Sequence, residues 1–303
     1  MILEQLLVLY IFIFLGWLFG RMKPETSNQS KVISFLLVNL FLPSKVFLNF
    51  SQNFTVSYFA ENYITVFISV AMVVLLSLLA IPLSHLLSKK DYERRVYQYS
   101  FVLANYAYMG YTLIENVMGK SALADMMTFC IPFAIYTYTF GYAMLTGKGR
   151  VGKKLLNPMM IVTVLGCVFG LCGIHVPSVF NTVFSAASAC VGPLSMLLIG
   201  LVLASFSRKD LLPDWRTAAF VGLRLFVLPA LLLGVCKLLS LVFTLPTAVY
   251  PFAVIVGCMP CGLNTVVFPK LMGEDCRQGA RMVLYSHAVS IVSIPLWMSI
   301  IIT

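Results

Sequence analysis

Residues Ala253–Gly273 read AVIVGCMPCGLNTVVFPKLMG, a stretch apolar enough for a bilayer yet interrupted by Pro260, Gly262, Asn264 and Pro269. Proline removes a backbone donor and glycine adds conformational freedom, so the stretch predicts a broken helix rather than a continuous one. Backbone groups freed in lipid are costly, and such a break persists only where protein buries it or a wet cavity meets it. Broken spans near mid-membrane are where many secondary carriers hold their substrate. The alternative is a kinked packing helix, because membrane helices tolerate proline and glycine. A second break in the matching place of the other half of the chain would favour the carrier.

The totals fix the class. Of 303 residues, 60% are hydrophobic and only 11% charged, with a mean hydropathy of +0.94, outside the range of soluble domains. The chain reads as a polytopic all-α membrane protein. A formal charge of +10 in a soluble domain would suggest nucleic acid. Here the basic residues gather in short loops between apolar runs, so topology explains them and nucleic acid is not an expected partner. The eight cysteines fall mostly inside apolar runs, where they act as small hydrophobes. Cys258 and Cys261 form a C-x-x-C, but without the βαβ setting of a redox motif. The first apolar run, residues 6–20, lacks a basic leader and is read as a span rather than a cleaved signal.

A spanning helix needs about 20 mostly apolar residues. Candidates run near 4–20, 32–50, 62–87, 96–118, 122–145, 156–174, 178–206, 216–241, 248–272 and 280–302. Lys and Arg crowd the odd-numbered loops, as at Lys89, Lys90, Arg94 and Arg95 or Lys148, Arg150, Lys153 and Lys154, while the even loops hold little beyond Lys120. The positive-inside rule then makes the odd loops cytoplasmic and leaves both termini outside. Ten spans divide at the central basic loop into residues 1–146, a cytoplasmic linker 147–155, and residues 156–303. The sixth span starts from the opposite side to the first, so any repeat is inverted, a common carrier plan. Short internal echoes fall in corresponding spans. NLFLPSK carries Pro43 where CVGPLSM carries Pro193, and ENVMGKSALAD in the fourth span answers PKLMGEDCRQG in the ninth.

The fourth span supplies the second interruption. It reads FVLANYAYMGYTLIENVMG, with Asn105, Gly110 and Glu115 inside an apolar run. It has no proline, so the break expected is softer than in the ninth span, with Gly110 and the Asn105 amide admitting local unwinding.

These residues resemble the auxin efflux carrier family over essentially the whole chain. Asn105, Gly110 and Gly119 match the family's fourth-span pattern. LLNPMMIVTVLGCVFGLCGIHVP and GPLSMLLIGLVLA match its sixth and seventh spans, and MPCGLNTVVFPKLMG its ninth-span methionine–proline break. One departure is Thr112, where family members usually place proline. The resemblance implies two inverted five-helix repeats, broken fourth and ninth helices crossing at mid-membrane, and a scaffold part and a transport part that move against each other. It implies small organic anions as substrates, malate- or malonate-like in bacteria, and a fold related to bile-acid and sodium–proton exchanger architectures.

Helix N termini favour a carboxylate by roughly 0.3–2 kcal/mol, and Asn105 and Asn264 would add side-chain donors at each break, or else merely satisfy the local backbone. With them, Gly110, Thr112, Pro260, Cys261, Gly262, Pro43 and Pro193 make up the substrate-binding candidates. Ionisable groups inside spans are few, and each is a functional candidate by default. Arg224 offers a fork to a carboxylate or snorkels to the inner interface. Lys45 and Glu115 stand near the outer ends of their spans and could pair. His287 titrates near physiological pH or is a packing histidine, with Ser286, Ser290 and Ser293 on the same span as donors or small packing faces.

The spans hold no paired aspartates, no H-E-x-x-H, no G-x-S-x-G and no Walker loop, so exchange of the paired-aspartate type, hydrolase chemistry and direct ATP drive lack support. No cofactor or metal is expected. The expectation is a non-enzymatic carrier of a small organic anion in the cytoplasmic membrane, working by alternating access. Proton or sodium coupling and a homodimer are left open. The rival reading is a sensor of the same fold that binds without transporting.

Overall fold

The computed structural model describes residues 2–23, 27–147, 157–242, 246 and 249–302. Most of the central basic loop, with Lys148, Arg150, Lys153 and Lys154, lies outside the described residues. The described residues are helical, without a strand. The first helices are α1 (Ile2–Met22), α2 (Ser27–Leu36), α3 (Leu42–Asn53), α4 (Val56–Leu87), α5 (Asp91–Val102), α6 (Tyr111–Tyr136) and α7 (Tyr142–Thr146). There follow α8 (Pro158–Leu171), α9 (Ser178–Ala189), α10 (Val191–Ala204), α11 (Trp215–Gly222), α12 (Leu228–Ser240), α13 (Val249–Cys258), α14 (Asn264–Met272) and α15 (Arg277–Ile302). Among them, 6 helical stretches are long and apolar enough to cross a membrane: 2–22, 30–53, 56–87, 178–204, 215–240 and 277–301. Two shorter apolar helices, α8 and α13, accompany them.

Several helices join through widened π turns, and proline explains two of these. The turns Leu37–Phe41 and Leu223–Val227 run directly into α3 and α12, whose second residues are Pro43 and Pro229. A proline ring clashes with the carbonyl four residues back and gives it no N–H, so the preceding turn widens instead of closing. Ahead of α12 that carbonyl belongs to Leu225, in the π turn, and the Trp297 indole N–H bonds it at 2.8 Å. The helix α6 is bent by a residue of a different kind: Gly119 takes φ 88°, ψ −178°, and separates its first turns from the rest. Only glycine adopts such a backbone without strain.

The chain forms two compact units, each drawing on both halves of the sequence. The first comprises Met1–Ile64, Ala107–Thr128 and Leu155–Phe206. Within it α1 lies directly on α10. A Cβ on Gly16 would stand 2.1 Å from the Leu197 carbonyl oxygen, and one on Gly200 would stand 2.0 Å from that of Ile13. Between membrane helices, close backbone approach of this kind replaces the hydrophobic drive that water would supply. The same device brings α8 onto α3, where a Cβ on Gly170 would stand 2.6 Å from the Phe50 oxygen.

The second unit comprises Thr65–Tyr106, Phe129–Lys154 and Ser207–Thr303. Here α5 stops at Val102, and Leu103 turns extended with φ −109° and ψ 124°. The next helical turn starts at Tyr106. Likewise α13 stops at Cys258 and α14 starts at Asn264, with Met259–Leu263 out of helix. The two interruptions meet as a short antiparallel bridge between Ala104 and Cys261, in which the Asn105 N–H donates to the Pro260 carbonyl at 2.8 Å. Each break thus satisfies backbone groups that the other has freed. The fourth-span break is a full one despite lacking proline, and it lies ahead of Asn105 rather than at Gly110, which closes the π turn Tyr106–Gly110. A cross-strand partner suffices to end the helix.

Candidate functional site

The junction of the two interruptions gathers Asn105, Pro260, Cys261, Gly262, Asn264, His287 and Arg224 inside the second unit. Cys261, just past Pro260, gives its N–H to the Ser286 hydroxyl of α15 at 2.9 Å. A Cβ on Gly279 would stand 2.2 Å from the Thr265 oxygen, so α15 packs tightly along α14. That packing carries His287, one residue beyond Ser286, to the Asn105 side chain.

The His287 contacts fix its tautomer. Its Nδ1 stands 2.7 Å from the Val283 carbonyl, an oxygen that can only accept, so Nδ1 carries the proton. In the neutral ring Nε2 is then an acceptor, and the Asn105 Nδ2 donates to it at 3.2 Å. Asn105 is 2% exposed, and its Oδ1 has no hydrogen-bond partner among the described residues. A buried acceptor left unmet costs about 1–3 kcal/mol, so this oxygen marks a place where a ligand group or a water would be held. Asn264, the first residue of α14, is half-buried, with its side chain against the Tyr99 hydroxyl.

Arg224 has no exposed surface. Its Nη1 donates to the Phe101 carbonyl and its Nη2 to that of Val256 at 3.3 Å. These carbonyls lie in the last turns of α5 and α13, so one guanidinium holds the C-terminal ends of both helices that stop at the junction. The fork that the sequence offered to a carboxylate is turned on the backbone, and the side chain is enclosed by protein. Its position follows from the π turn Leu223–Val227, which re-phases the helix ahead of Pro229.

The other candidates stand in the first unit. Lys45 and Glu115 form an ion pair. Thr112 donates to the Tyr108 carbonyl at 3.1 Å and packs so closely on α10 that a Cβ on Gly192 would stand 2.5 Å from its methyl. Lys45, Thr112, Glu115 and Pro193 line a cavity of about 350 Å³, whereas Gly110 and Pro43 do not. Asn49 also lines it, a residue that the sequence reading passed over. The available signal was its spacing: Lys45, Asn49 and Asn53 recur every fourth residue along the second span.

Comparison with known proteins gives a consistent picture. A family model described as "Membrane transport protein" matches residues 1–155 and again 150–298. The uncharacterized transporter YfdV of Escherichia coli is 20% identical over 97% of this chain and 95% of its own length. The uncharacterized transporter MJ1031 of Methanocaldococcus jannaschii is 23% identical over 97% of each.

Proposed function

The chain belongs to the membrane transport protein family of auxin efflux carriers, and on that premise we propose that it carries a small organic anion across the cytoplasmic membrane by alternating access. It is a multi-pass membrane protein. In our reading ten spans form two inverted five-helix repeats, with both termini extracytoplasmic, and the substrate is held where the fourth and ninth spans are broken.

The observation that carries this reading is the polarity of the junction. Two helices end there and their C-terminal carbonyls converge on Arg224. Helical segments restart at Tyr106 and Asn264, and a helix start carries N–H groups and a partial positive charge suited to a carboxylate. With the negative ends already capped, the remaining field favours an anion. Asn105 and Asn264 stand at those starts as the polar side chains nearest the bound group. Malate and malonate are the first substrates to test. The experiment is uptake of labelled malate or malonate into proteoliposomes. Asn105→Ala and Asn264→Ala should each raise KM about tenfold or more, and unchanged KM in both would remove the junction from the binding site.

Coupling follows from the Asn105–His287 pair. A proton added to Nε2 turns an acceptor into a donor, so the Asn105 amide must rotate and present its unmet Oδ1. Protonation and the orientation of the substrate-facing amide are thereby linked, which makes His287 the proton carrier of choice. An uncoupled, potential-driven carrier is the result expected if His287→Gln and the wild type ignore a pH gradient equally.

A further inference from the structure

The first unit holds a cavity with its own chemistry. Ligand pockets are usually lined mainly by apolar side chains with a few polar groups. This one holds about 350 Å³, and most of the residues on its wall bear amides, hydroxyls or charges, three of them charged. Lys45 and Lys120 set two cations against the single carboxylate of Glu115. Lys45 is only 4% exposed. Its ammonium has three donors, and Glu115 is its ion-pair partner.

Asn49 is the second, independent pointer. It is 6% exposed, it lines the cavity, and its Oδ1 has no hydrogen-bond partner among the described residues. A buried acceptor facing a polar cavity calls for a donor such as a hydroxyl. The excess positive charge calls for one negative group on the same molecule. The further amides and hydroxyls on the wall, at Asn53, Asn116, Thr112 and Ser188, suit several hydroxyls better than an alkyl chain.

We infer that this cavity is a binding site for a small polyhydroxylated monocarboxylate, a molecule of the sugar-acid class, with the carboxylate toward the lysines and a hydroxyl donating to Asn49. A site built to bond hydroxyls rejects an analogue lacking them, because its own polar groups are then buried unmet.

The test uses the full chain in lipid nanodiscs, titrated calorimetrically with D-gluconate and with hexanoate, which has the same charge and carbon count but no hydroxyls. Gluconate should bind at least about tenfold more tightly than hexanoate. Asn49→Leu should weaken it about tenfold, and Ser185→Trp, which fills the cavity from an exposed position, should abolish it. Asn105→Ala should leave gluconate binding intact, which separates this site from the proposed transport site. Equal binding of the two acids, no binding of either, or gluconate binding that survives Ser185→Trp would overturn the inference. So would gluconate binding that is lost in Asn105→Ala and kept in both cavity variants.

Discussion

An α-helix C terminus carries roughly half a negative charge, and at the junction α5 and α13 both end against the Arg224 guanidinium, which is fully buried. Arg224→Met, close in volume but without donors, leaves the Phe101 and Val256 carbonyls unmet. We expect a loss of about 2–4 kcal/mol, read as a clear drop in the melting temperature of the purified protein. An unchanged melt would show that those carbonyls find other donors. The sequence marked Arg224 as a rare ionisable group inside a span, and that much was legible. Whether its fork met substrate, interface or backbone was not, because depth along a helix says nothing of rotation about it, and the π turn at Leu223–Val227 has no sequence signal apart from Pro229. The same proline makes a second test. Trp297→Phe removes the donor to Leu225 together with part of the buried indole and should cost about 1–3 kcal/mol, whereas an unchanged melt would show that Leu225 finds another donor and that the site collapses around the smaller ring.

At the level of helices, backbone approach and capping decide which pairs form. The Cβ of a Gly200→Ala variant would stand 2.0 Å from a backbone oxygen in α1, an atom that cannot swing aside. We expect destabilisation of about 1–3 kcal/mol or more, and a variant that melts with the wild type would contradict the direct contact of α1 with α10. The helix α11 is capped by Asp214, whose carboxylate accepts the Thr217 N–H at 2.7 Å. Partial burial works against its ionisation, but the Thr217 bonds outweigh that and hold its pKa below the usual carboxylate value. A carboxyl depressed in the folded state stabilises above its unfolded pKa and ceases to do so as pH falls through the folded one. Asp214→Ala should therefore melt below the wild type near neutral pH, by about 1 kcal/mol, with the gap closing below about pH 4. A gap independent of pH would remove the carboxylate from the cap. The ninth-span break was readable from Pro260 and Gly262. Its counterpart was readable in existence but not in place or sharpness, since Leu103 and Ala104 are ordinary apolar residues whose departure from helix comes from a partner more than a hundred positions away.

For the molecule as a whole, composition and the spacing of apolar runs were enough to identify a multi-pass membrane protein, and the family comparisons make it a transporter. Its division into two compact units that interleave along the chain has no counterpart in local pattern, because it arises from packing between distant segments. The proposed proton coupling is tested at this scale too. Uptake by the wild type should rise with an imposed pH gradient and His287→Gln should lose that response, since glutamine keeps hydrogen bonding to Asn105 but cannot gain a proton. A variant that still follows the gradient would place the coupling elsewhere.

The central claim is that the two interruptions meet and hold the anion between them, and one substitution tests it. Opposed residues of an antiparallel bridge have Cα atoms about 4.5–5.5 Å apart, within disulfide range, so Ala104→Cys places a thiol beside the native Cys261. Oxidised in membranes with copper phenanthroline and mapped by mass spectrometry, this variant should yield a peptide linking residues 104 and 261, and the transported anion should slow its formation. Two freely alkylated thiols after oxidation, or cross-linking that the anion leaves untouched, would contradict the account.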